Sequence, residues 1–222
     1  MNSDQQAYYY AEHCKSASPD YLAQLLAPLG VGDGSSVLDV GCGTGYVNEY
    51  LSTTRALARN LGFDLDPGAI RLAHSLNRNS GNAAYFCASA EAIPLPDAST
   101  DHVTCRVVLS YCDVNRAVAE IARVLRPGGS AMLLLHPWRL YVRWLSLDPR
   151  YWKRTAAGLV SVTLSLWLNA TGHQIRLRLG GRLIGETFQS EGRMRAILRR
   201  YGMSIYQVER GPEFAVYARR QS

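Results

Sequence analysis

A glycine-rich loop lies between an apolar strand and a helix, an arrangement that can hold a nucleotide. Residues 37–40 (VLDV) predict a short strand that runs directly into GCGTG at residues 41–45. Glycines let a ligand approach the backbone closely, and the first N–H groups of the following helix are free to donate to it. Asp64 ends the next predicted strand, 19 residues after Gly45, where a carboxylate can accept hydrogen bonds from both hydroxyls of a ribose.

A dinucleotide-dependent dehydrogenase is the alternative interpretation of this loop. Dehydrogenases of this kind usually carry GxGxxG. Here Tyr46-Val47-Asn48 follows the last glycine, with no further glycine.

Three side chains outside the loop are candidates for acting on a substrate. His136 ends the fifth predicted strand, and strand C-termini in α/β sheets face the ligand crevice, so it is the best candidate for a general base. The alternative is that His136 caps a turn before Pro137. Tyr111 and Tyr10 could orient a substrate, although the tyrosine run at 8–10 could equally form a packed helix face.

The elements that must position these residues alternate between strand and helix. Apolar runs and helical spacing predict strands at 37–40, 61–64, 84–88, 101–109 and 130–136, and helices at 5–30, 46–53, 68–77 and 115–125. This alternation predicts βαβ units, that is, a parallel sheet with helices on both faces.

After residue 136 the pattern changes. Apolar residues at every second position predict a strand at 160–168, with a short helix as the alternative. Gly180-Gly181 predicts a hairpin turn between strands at 174–179 and 182–188. A helix at 191–201 and a strand pair at 204–209 and 213–218 complete the chain.

Composition narrows the class of protein. The 222 residues suffice for one domain, and five cysteines without a CxxC make a disulfide framework or a zinc site improbable, as expected for an intracellular protein. The longest apolar window, at 156–170, is too short to span a membrane, and no signal peptide is visible. Residues 1–138 hold 9 basic and 13 acidic side chains, whereas 139–222 hold 15 and 5. The second region could be an ordinary solvated arginine-rich surface, or it could meet an anionic substrate, RNA or an anionic membrane surface.

Four segments together resemble the class I S-adenosylmethionine-dependent methyltransferases. They are VLDVGCGTGYV (37–47), GFDLDPGAIRLA (62–73), AEAIPLPDASTDHVTCRVVLSY (90–111) and IARVLRPGGSAMLLL (121–135), in the order and spacing of that family. The last two are most similar to the subgroup that includes quinone-biosynthesis and small-molecule enzymes. The resemblance implies a Rossmann-like, seven-stranded, mostly parallel sheet with helices on both faces and a cap inserted between the fifth and sixth strands.

The resemblance also implies roles for individual residues toward S-adenosylmethionine, which would leave as S-adenosylhomocysteine. Asp64 would hold the ribose hydroxyls, with Leu65 against the adenine. Arg106 would offer mainly its backbone carbonyl to the methionine ammonium. The remaining implied contacts are the loop residues Gly41, Cys42, Gly43 and Gly45, Asp39 beneath them, and Ala90 and Glu91 beside the adenine.

This sequence differs from many members of the family at two further positions. Ser89 stands where many relatives have an aspartate that accepts from the adenine amino group, so that contact is in doubt. Tyr111 stands near the position of a histidine in many relatives. The absence of an Asp/Asn-Pro-Pro-Tyr/Phe motif argues against enzymes that methylate adenine in DNA or glutamine in proteins.

One domain is expected over residues 1–222. It divides into an N-terminal helical lid (1–34), a cofactor-binding core (35–136), a substrate cap (137–189) and a C-terminal helix with a strand pair (190–222). Aromatic and arginine residues alternate in the cap, which suits an aromatic or amphipathic small molecule; they are Trp138, Arg139, Tyr141, Arg143, Trp144, Arg150, Tyr151, Trp152 and Arg154.

The expected function is methyl transfer to O, N or C of a small biosynthetic metabolite by in-line displacement, without a metal. The alternatives are an RNA methyltransferase that uses the basic C-terminal region and a cofactor-binding scaffold without activity. A homodimer could form through the hairpin edge at 174–188. We expect a cytoplasmic protein, with attachment to the membrane surface as the alternative.

Overall fold

A computed structural model describes residues 18–78, 82–142, 145, 148–179, 182–184, 186–211 and 214–222. Up to residue 135 its elements are α1 (Pro19–Leu26), β1 (Ser36–Val40), α2 (Tyr46–Thr54), β2 (Arg59–Asp64), α3 (Pro67–Leu76), β3 (Ala83–Cys87), β4 (Thr100–Arg106), α4 (Val114–Val124) and β5 (Leu125–Leu135). The elements that follow are α5 (Trp138–Val142), α6 (Trp152–Thr171), β6 (Leu177–Leu179), β7 (Arg182–Ile184), α7 (Glu191–Arg200), β8 (Met203–Arg210) and β9 (Phe214–Arg220). Short 3₁₀ helices cover Ala27–Leu29, Val108–Ser110 and Pro149–Tyr151.

Seven of the described strands form one sheet in the order β3-β2-β1-β4-β5-β9-β8. The first five strands are parallel to one another, whereas β9 runs antiparallel to both β5 and β8. The predicted α/β sheet, mostly parallel and Rossmann-like, is therefore confirmed. The strands β6 and β7 form a separate two-stranded hairpin.

Strand β5 is apolar from Ala131 to Leu135 because both faces of the sheet are covered there. Along β5, Ala131, Leu133 and Leu135 pack into the larger core cluster with the apolar side of α4, and Met132 and Leu134 pack on the other face with α1 and α2. A strand buried on both faces has no polar side, which explains its continuous apolar sequence.

The strand prediction at residues 160–168 is wrong, because this segment lies within α6. The alternation of valine and leucine with serine and threonine matched a period of two by chance. The buried residues of α6 instead recur at spacings of three and four; they are Gly158, Ser161, Leu164, Ser165 and Leu168.

Other element boundaries differ by a few residues. The described part of the N-terminal helix begins at Pro19 and ends at Leu26, and Tyr10 lies outside the described residues, as does the Gly180-Gly181 turn. Strand β4 ends at Arg106 instead of residue 109. Among the described residues, no helix combines the length and hydropathy that a membrane span requires.

Candidate functional site

A cavity of about 810 Å³ opens at the carboxyl edge of the sheet. The strand order β2-β1-β4-β5 determines the order in which chemical groups follow one another along the cavity. Asp64 ends β2, the glycine loop follows β1, Arg106 ends β4, and His136 follows β5. The cavity thus presents a carboxylate, open backbone, a guanidinium and an imidazole in that order, at the edge where ligands bind in open α/β sheets.

The glycine loop passes close to its neighbours, and two of its positions require glycine. Gly41 has a φ of 68°, and a Cβ there would lie 2.1 Å from Cγ2 of Val108. Gly45 has a φ of 78° at the start of α2, and its Cβ would meet the ring of Tyr85 at 2.5 Å. At Gly43, in contrast, a Cβ would meet no atom within 4 Å, so the absence of a side chain leaves the backbone open to a ligand.

Asp64 is held in place by backbone N–H groups. The Gly43 N–H donates to its Oδ2 at 3.0 Å, and the Asp66 N–H donates to its Oδ1 at 2.9 Å. Each carboxylate oxygen has a further acceptor position. The carboxylate is therefore oriented before a ligand binds and can still accept from two hydroxyls.

Arg106 lines the cavity, and two nitrogens of its guanidinium are buried without hydrogen-bond partners. Its guanidinium carbon lies 4.7 Å from the ring centroid of Tyr46 and 5.7 Å from that of Tyr21. Nε and Nη1 are buried and make no hydrogen bond in the described structure. Because unsatisfied buried donors cost free energy and guanidinium pairs well with carboxylate, this arrangement suits a carboxylate ligand.

Val107, next to Arg106, has a φ of 65°. This left-handed conformation is costly for a β-branched residue, and such outliers concentrate at functional sites. Here it turns the chain out of β4 into the wall of the cavity, which Val107 and Val108 line.

Asp39 lies beneath the glycine loop and is fully buried. The Thr104 hydroxyl donates to its Oδ1 at 2.6 Å. Burial raises the pKa of Asp39 to about 7, and the Thr104 hydrogen bond and the nearby Arg106 lower it only in part.

This pKa predicts a pH-dependent cost in stability. Because the folded pKa lies above the unfolded value of 3.8, the folded state holds the proton more tightly, and the contribution of Asp39 falls as pH rises from about 4 to about 7. Asp39→Asn removes this effect. We expect the free energy of unfolding of Asp39→Asn, minus that of the original chain, to increase by about 2–3 kcal/mol from pH 5 to pH 8.

Urea unfolding of both proteins at the two pH values, without ligand, measures this difference. The asparagine amide oxygen can still accept from Thr104, so the hydrogen bond itself is preserved. An equal difference in stability at both pH values would show that Asp39 does not titrate in this range.

His136 contacts two polar side chains that sequence reasoning did not connect with it. Its Nδ1 lies 3.1 Å from Oη of Tyr141 and 3.5 Å from Oε2 of Glu186, and the Tyr141 hydroxyl donates to the same carboxylate. A proton on Nδ1, held by Tyr141 and Glu186, leaves Nε2 as the basic nitrogen. Tyr111 stands edge-on to the imidazole, with ring centroids 6.2 Å apart.

Glu91, in the loop after β3, forms an ion pair with Arg176 in the segment after α6. Its carboxylate accepts from the Asp113 N–H at 3.0 Å and from the guanidinium of Arg176, and Arg116 lies 3.8 Å away. Burial raises the pKa of Glu91, but the Asp113 hydrogen bond and Arg176 outweigh it, so the pKa lies below its ordinary value. Arg176 and Glu91 both line the cavity and close one side of it.

The structure brings most of the predicted site residues to one cavity. Those that line it are Gly41, Gly43, Asp64, Leu65, Ala90, Glu91, Arg106, Tyr111 and His136. Asp39, Cys42 and Gly45 are not among the lining residues, and Cys42 packs in a cluster with Ile70, Ala73 and Tyr85.

Sequence reasoning missed the side chains of Arg106, Tyr46, Arg176 and Glu186, and it placed Tyr141 in the cap without its contact to His136. Tyr46 directly follows the glycine loop, so its place in the sequence could have indicated that it lines the cavity. Glu186 is 50 residues from His136, and no sequence pattern joins the two.

Comparison with known proteins shows what the segment that forms most of this cavity is similar to. Residues 38–133 match the family model described as a methyltransferase domain. The chain is 35% identical over 117 residues to the malonyl-[acyl-carrier protein] O-methyltransferase of Hahella chejuensis (strain KCTC 2396). That match covers 50% of this chain and 42% of the relative, so the chain spans less than half of the length of that relative.

Solved structures share the fold at low sequence identity. A chain of the complex between the Haloferax volcanii Trm112 methyltransferase activator and a methyltransferase superimposes with a TM-score of 0.69 and 16% identity, covering 100% of both chains. An S-adenosylmethionine-dependent methyltransferase from Mesorhizobium loti gives a TM-score of 0.63 and 22% identity, covering 91% of this chain and 98% of that one.

Proposed function

We propose that this chain, which carries a class I S-adenosylmethionine-dependent methyltransferase domain, transfers the methyl group to O, N or C of a small aromatic or amphipathic metabolite. The main support for this proposal is the order of groups along the carboxyl edge of the sheet. Asp64, the open backbone at Gly43 and the unsatisfied guanidinium of Arg106 match the ribose, the thioether chain and the carboxylate of one extended ligand.

The residues present fit S-adenosylmethionine. Asp64 would accept from the ribose hydroxyls, and Leu65, Ala90 and Glu91 would lie beside the adenine. Arg106 would bind the methionine carboxylate through its side chain, a role beyond the backbone contact that the sequence implies. The glycine loop and Asp39 would lie on the side of the methionine ammonium, where a carboxylate with a pKa of about 7 is ionised once a cation is near.

The bound cofactor supplies an electrophilic methyl group on a sulfonium, and the chain supplies alignment and proton transfer. Positioning alone accounts for a large share of such a rate enhancement, because well-oriented groups react at effective molarities of about 10⁵ M or more. His136 would remove the acceptor's proton through Nε2, with Tyr141 and Glu186 as positioning residues. Tyr111 lies beside the imidazole and would orient the acceptor.

The acceptor would lie between the core and residues 137–189, which we propose as a cap. Arg176, held by Glu91, closes this side and gives it a positive charge. The curated relative is named as an O-methyltransferase, which supports an oxygen acceptor. A phenol would gain most from His136, since its proton must leave during transfer.

An isotope-transfer experiment tests the proposed function. The full chain is incubated with methyl-tritiated S-adenosylmethionine and a panel of phenols, carboxylic acids, amines and bulk RNA. We expect label in the small-molecule fraction. Label in RNA would support the RNA methyltransferase instead, and no label in any acceptor would favour a scaffold without activity.

Arg106 has a separate test, because two ligands differ only at the end that it would contact. S-Adenosylhomocysteine carries the amino-acid carboxylate, whereas 5′-methylthioadenosine lacks the amino-acid end. Arg106→Met is expected to weaken S-adenosylhomocysteine binding by about 10- to 100-fold, because a charge-assisted pair is lost. Binding of 5′-methylthioadenosine should be unchanged by calorimetry.

Arg106→Lys is the matched variant, since it keeps the charge but not the planar fork. We expect an affinity between those of the original chain and Arg106→Met. Equal losses for both ligands would instead place Arg106 in a structural role.

A further inference from the structure

Helix α6 presents an apolar stripe to the solvent. At 3.6 residues per turn, seven exposed positions fall within an arc of about 100°: Trp152, Ala156, Leu159, Thr163, Leu166, Trp167 and Ala170. The large side chains are well exposed, Trp152 at 63%, Leu159 at 54% and Leu166 at 60%. A contiguous apolar patch of this kind marks an interaction surface more often than a plain protein surface.

Helix α6 carries apolar side chains on its solvent face as well as on its protein-facing side. The protein-facing side combines Leu164 and Leu168 with Gly158, Ser161 and Ser165, while tryptophan and leucine also face outward. The buried Ser165 hydroxyl is satisfied, since it donates to the Ser161 carbonyl and accepts from the Phe188 N–H. The inward face is therefore already packed, and the outward stripe calls for a separate apolar partner.

Cations surround the N-terminal end of the stripe and lie against exposed aromatic rings. Nζ of Lys153 is 5.7 Å from the Trp152 ring, and the guanidinium carbon of Arg154 is 5.8 Å from the Tyr151 ring. Arg139 makes a similar contact with exposed Trp138 at 5.9 Å. The sequence of α6 contains no aspartate or glutamate.

We propose that the outward stripe of α6 and the cations at its N-terminal end dock onto the surface of an anionic lipid bilayer. Tryptophan and tyrosine with an apolar body and a polar edge, next to basic side chains with long stems, have the composition of a helix that lies in the membrane interface. No described helix qualifies as a membrane span, so α6 would lie on the bilayer. At about 1.5 Å per residue, its 20 residues provide a contact about 30 Å long.

Charge distinguishes a bilayer from a second copy of this chain. A second copy would offer its own α6, which carries basic and no acidic side chains, so the two helices would repel each other. Anionic headgroups carry the opposite charge, and each basic residue near an anionic surface strengthens binding.

Vesicle co-sedimentation of the full chain tests this proposal, with tryptophan fluorescence as a second readout. The probes are phosphatidylcholine vesicles with and without phosphatidylglycerol. We expect binding to the anionic vesicles at least about 10-fold tighter than to the neutral ones, with a blue shift of the emission. No binding to anionic vesicles, or equal binding to both kinds, would overturn the proposal.

Two double variants separate the apolar and the electrostatic contributions. Leu159→Ser with Leu166→Ser should weaken vesicle binding by about 10-fold or more, because two apolar side chains no longer enter the interface. Lys153→Glu with Arg154→Glu should abolish the preference for anionic vesicles. Leu177→Ser, which changes a leucine that is 43% exposed outside α6, is the matched control and should bind as the original chain does.

Thermal unfolding followed by circular dichroism verifies that each variant folds. Vesicle binding that persists in the leucine double variant would overturn the proposal. A dimer in gel filtration that this variant dissociates, without vesicle binding by the original chain, would assign the stripe to a second copy. Salt-sensitive RNA binding through Lys153 and Arg154, without vesicle binding, would assign the cations to RNA.

Discussion

Replacing Asp64 by alanine is expected to weaken the binding of S-adenosylhomocysteine by about 100-fold or more. Hydrogen bonds to a charged group each contribute about 1.5–3 kcal/mol, and two ribose hydroxyls would lose their acceptor together. Because the ribose is common to both ligands, 5′-methylthioadenosine should lose affinity by a similar factor. Asp64→Ala therefore differs from Arg106→Met, for which only the ligand with the carboxylate is affected.

Asp66→Ala is the control for Asp64→Ala. Asp66 lies two residues away and caps α3, accepting from the Gly68 N–H at 2.7 Å. Its loss should lower the free energy of unfolding by about 1 kcal/mol without changing ligand affinity. If calorimetry gives Asp64→Ala the affinity of the original chain for both ligands, the ribose does not lie on this carboxylate.

Replacing His136 by alanine is expected to slow methyl transfer by about 10²- to 10⁴-fold, the usual contribution of a positioned general base. The affinity for S-adenosylhomocysteine should be unchanged, since His136 lies after β5, beyond the groups assigned to the cofactor. The measurement is the steady-state rate with whichever acceptor in the panel is labelled. Added imidazole should restore part of the lost activity, which a purely structural role would not allow.

Glu186→Gln tests the positioning of His136. The glutamine amide can donate to Nδ1, so the tautomer with a basic Nε2 is no longer favoured. We expect a lower kcat with little change in KM or in cofactor affinity, and partial recovery in Glu186→Asp. Full activity of His136→Ala would remove both residues from the mechanism.

The parts of the fold that follow from local sequence were predictable. The strands before residue 136 contain short apolar segments, most clearly at residues 131–135 of β5, and burial on both faces of the sheet favours such segments. The glycine loop and Asp64 form a motif within 24 residues, so local spacing alone predicted that they meet. The hydrogen bond from the Gly43 N–H to the Asp64 carboxylate shows that the loop and the carboxylate are in contact.

The remaining features depend on tertiary packing. Residues 160–168 of α6 were predicted as a strand because valine and leucine alternate there with serine and threonine, and a helix that buries serine while exposing leucine can show such alternation. The position of the Arg106 side chain depends on the rings of Tyr21 and Tyr46, which come from α1 and α2. Glu186 contacts His136 only because the chain between them folds back. The spacing of apolar residues, which indicates strands and helices, gives no information on such long-range contacts.

A crystal structure with S-adenosylhomocysteine tests the central claim most directly. We expect both ribose hydroxyls on the Asp64 carboxylate, the amino-acid carboxylate on the Arg106 guanidinium, and the sulfur between the glycine loop and His136. A ligand whose ribose makes no contact with Asp64, or one bound away from the carboxyl edge of β1, β2 and β4, would contradict it.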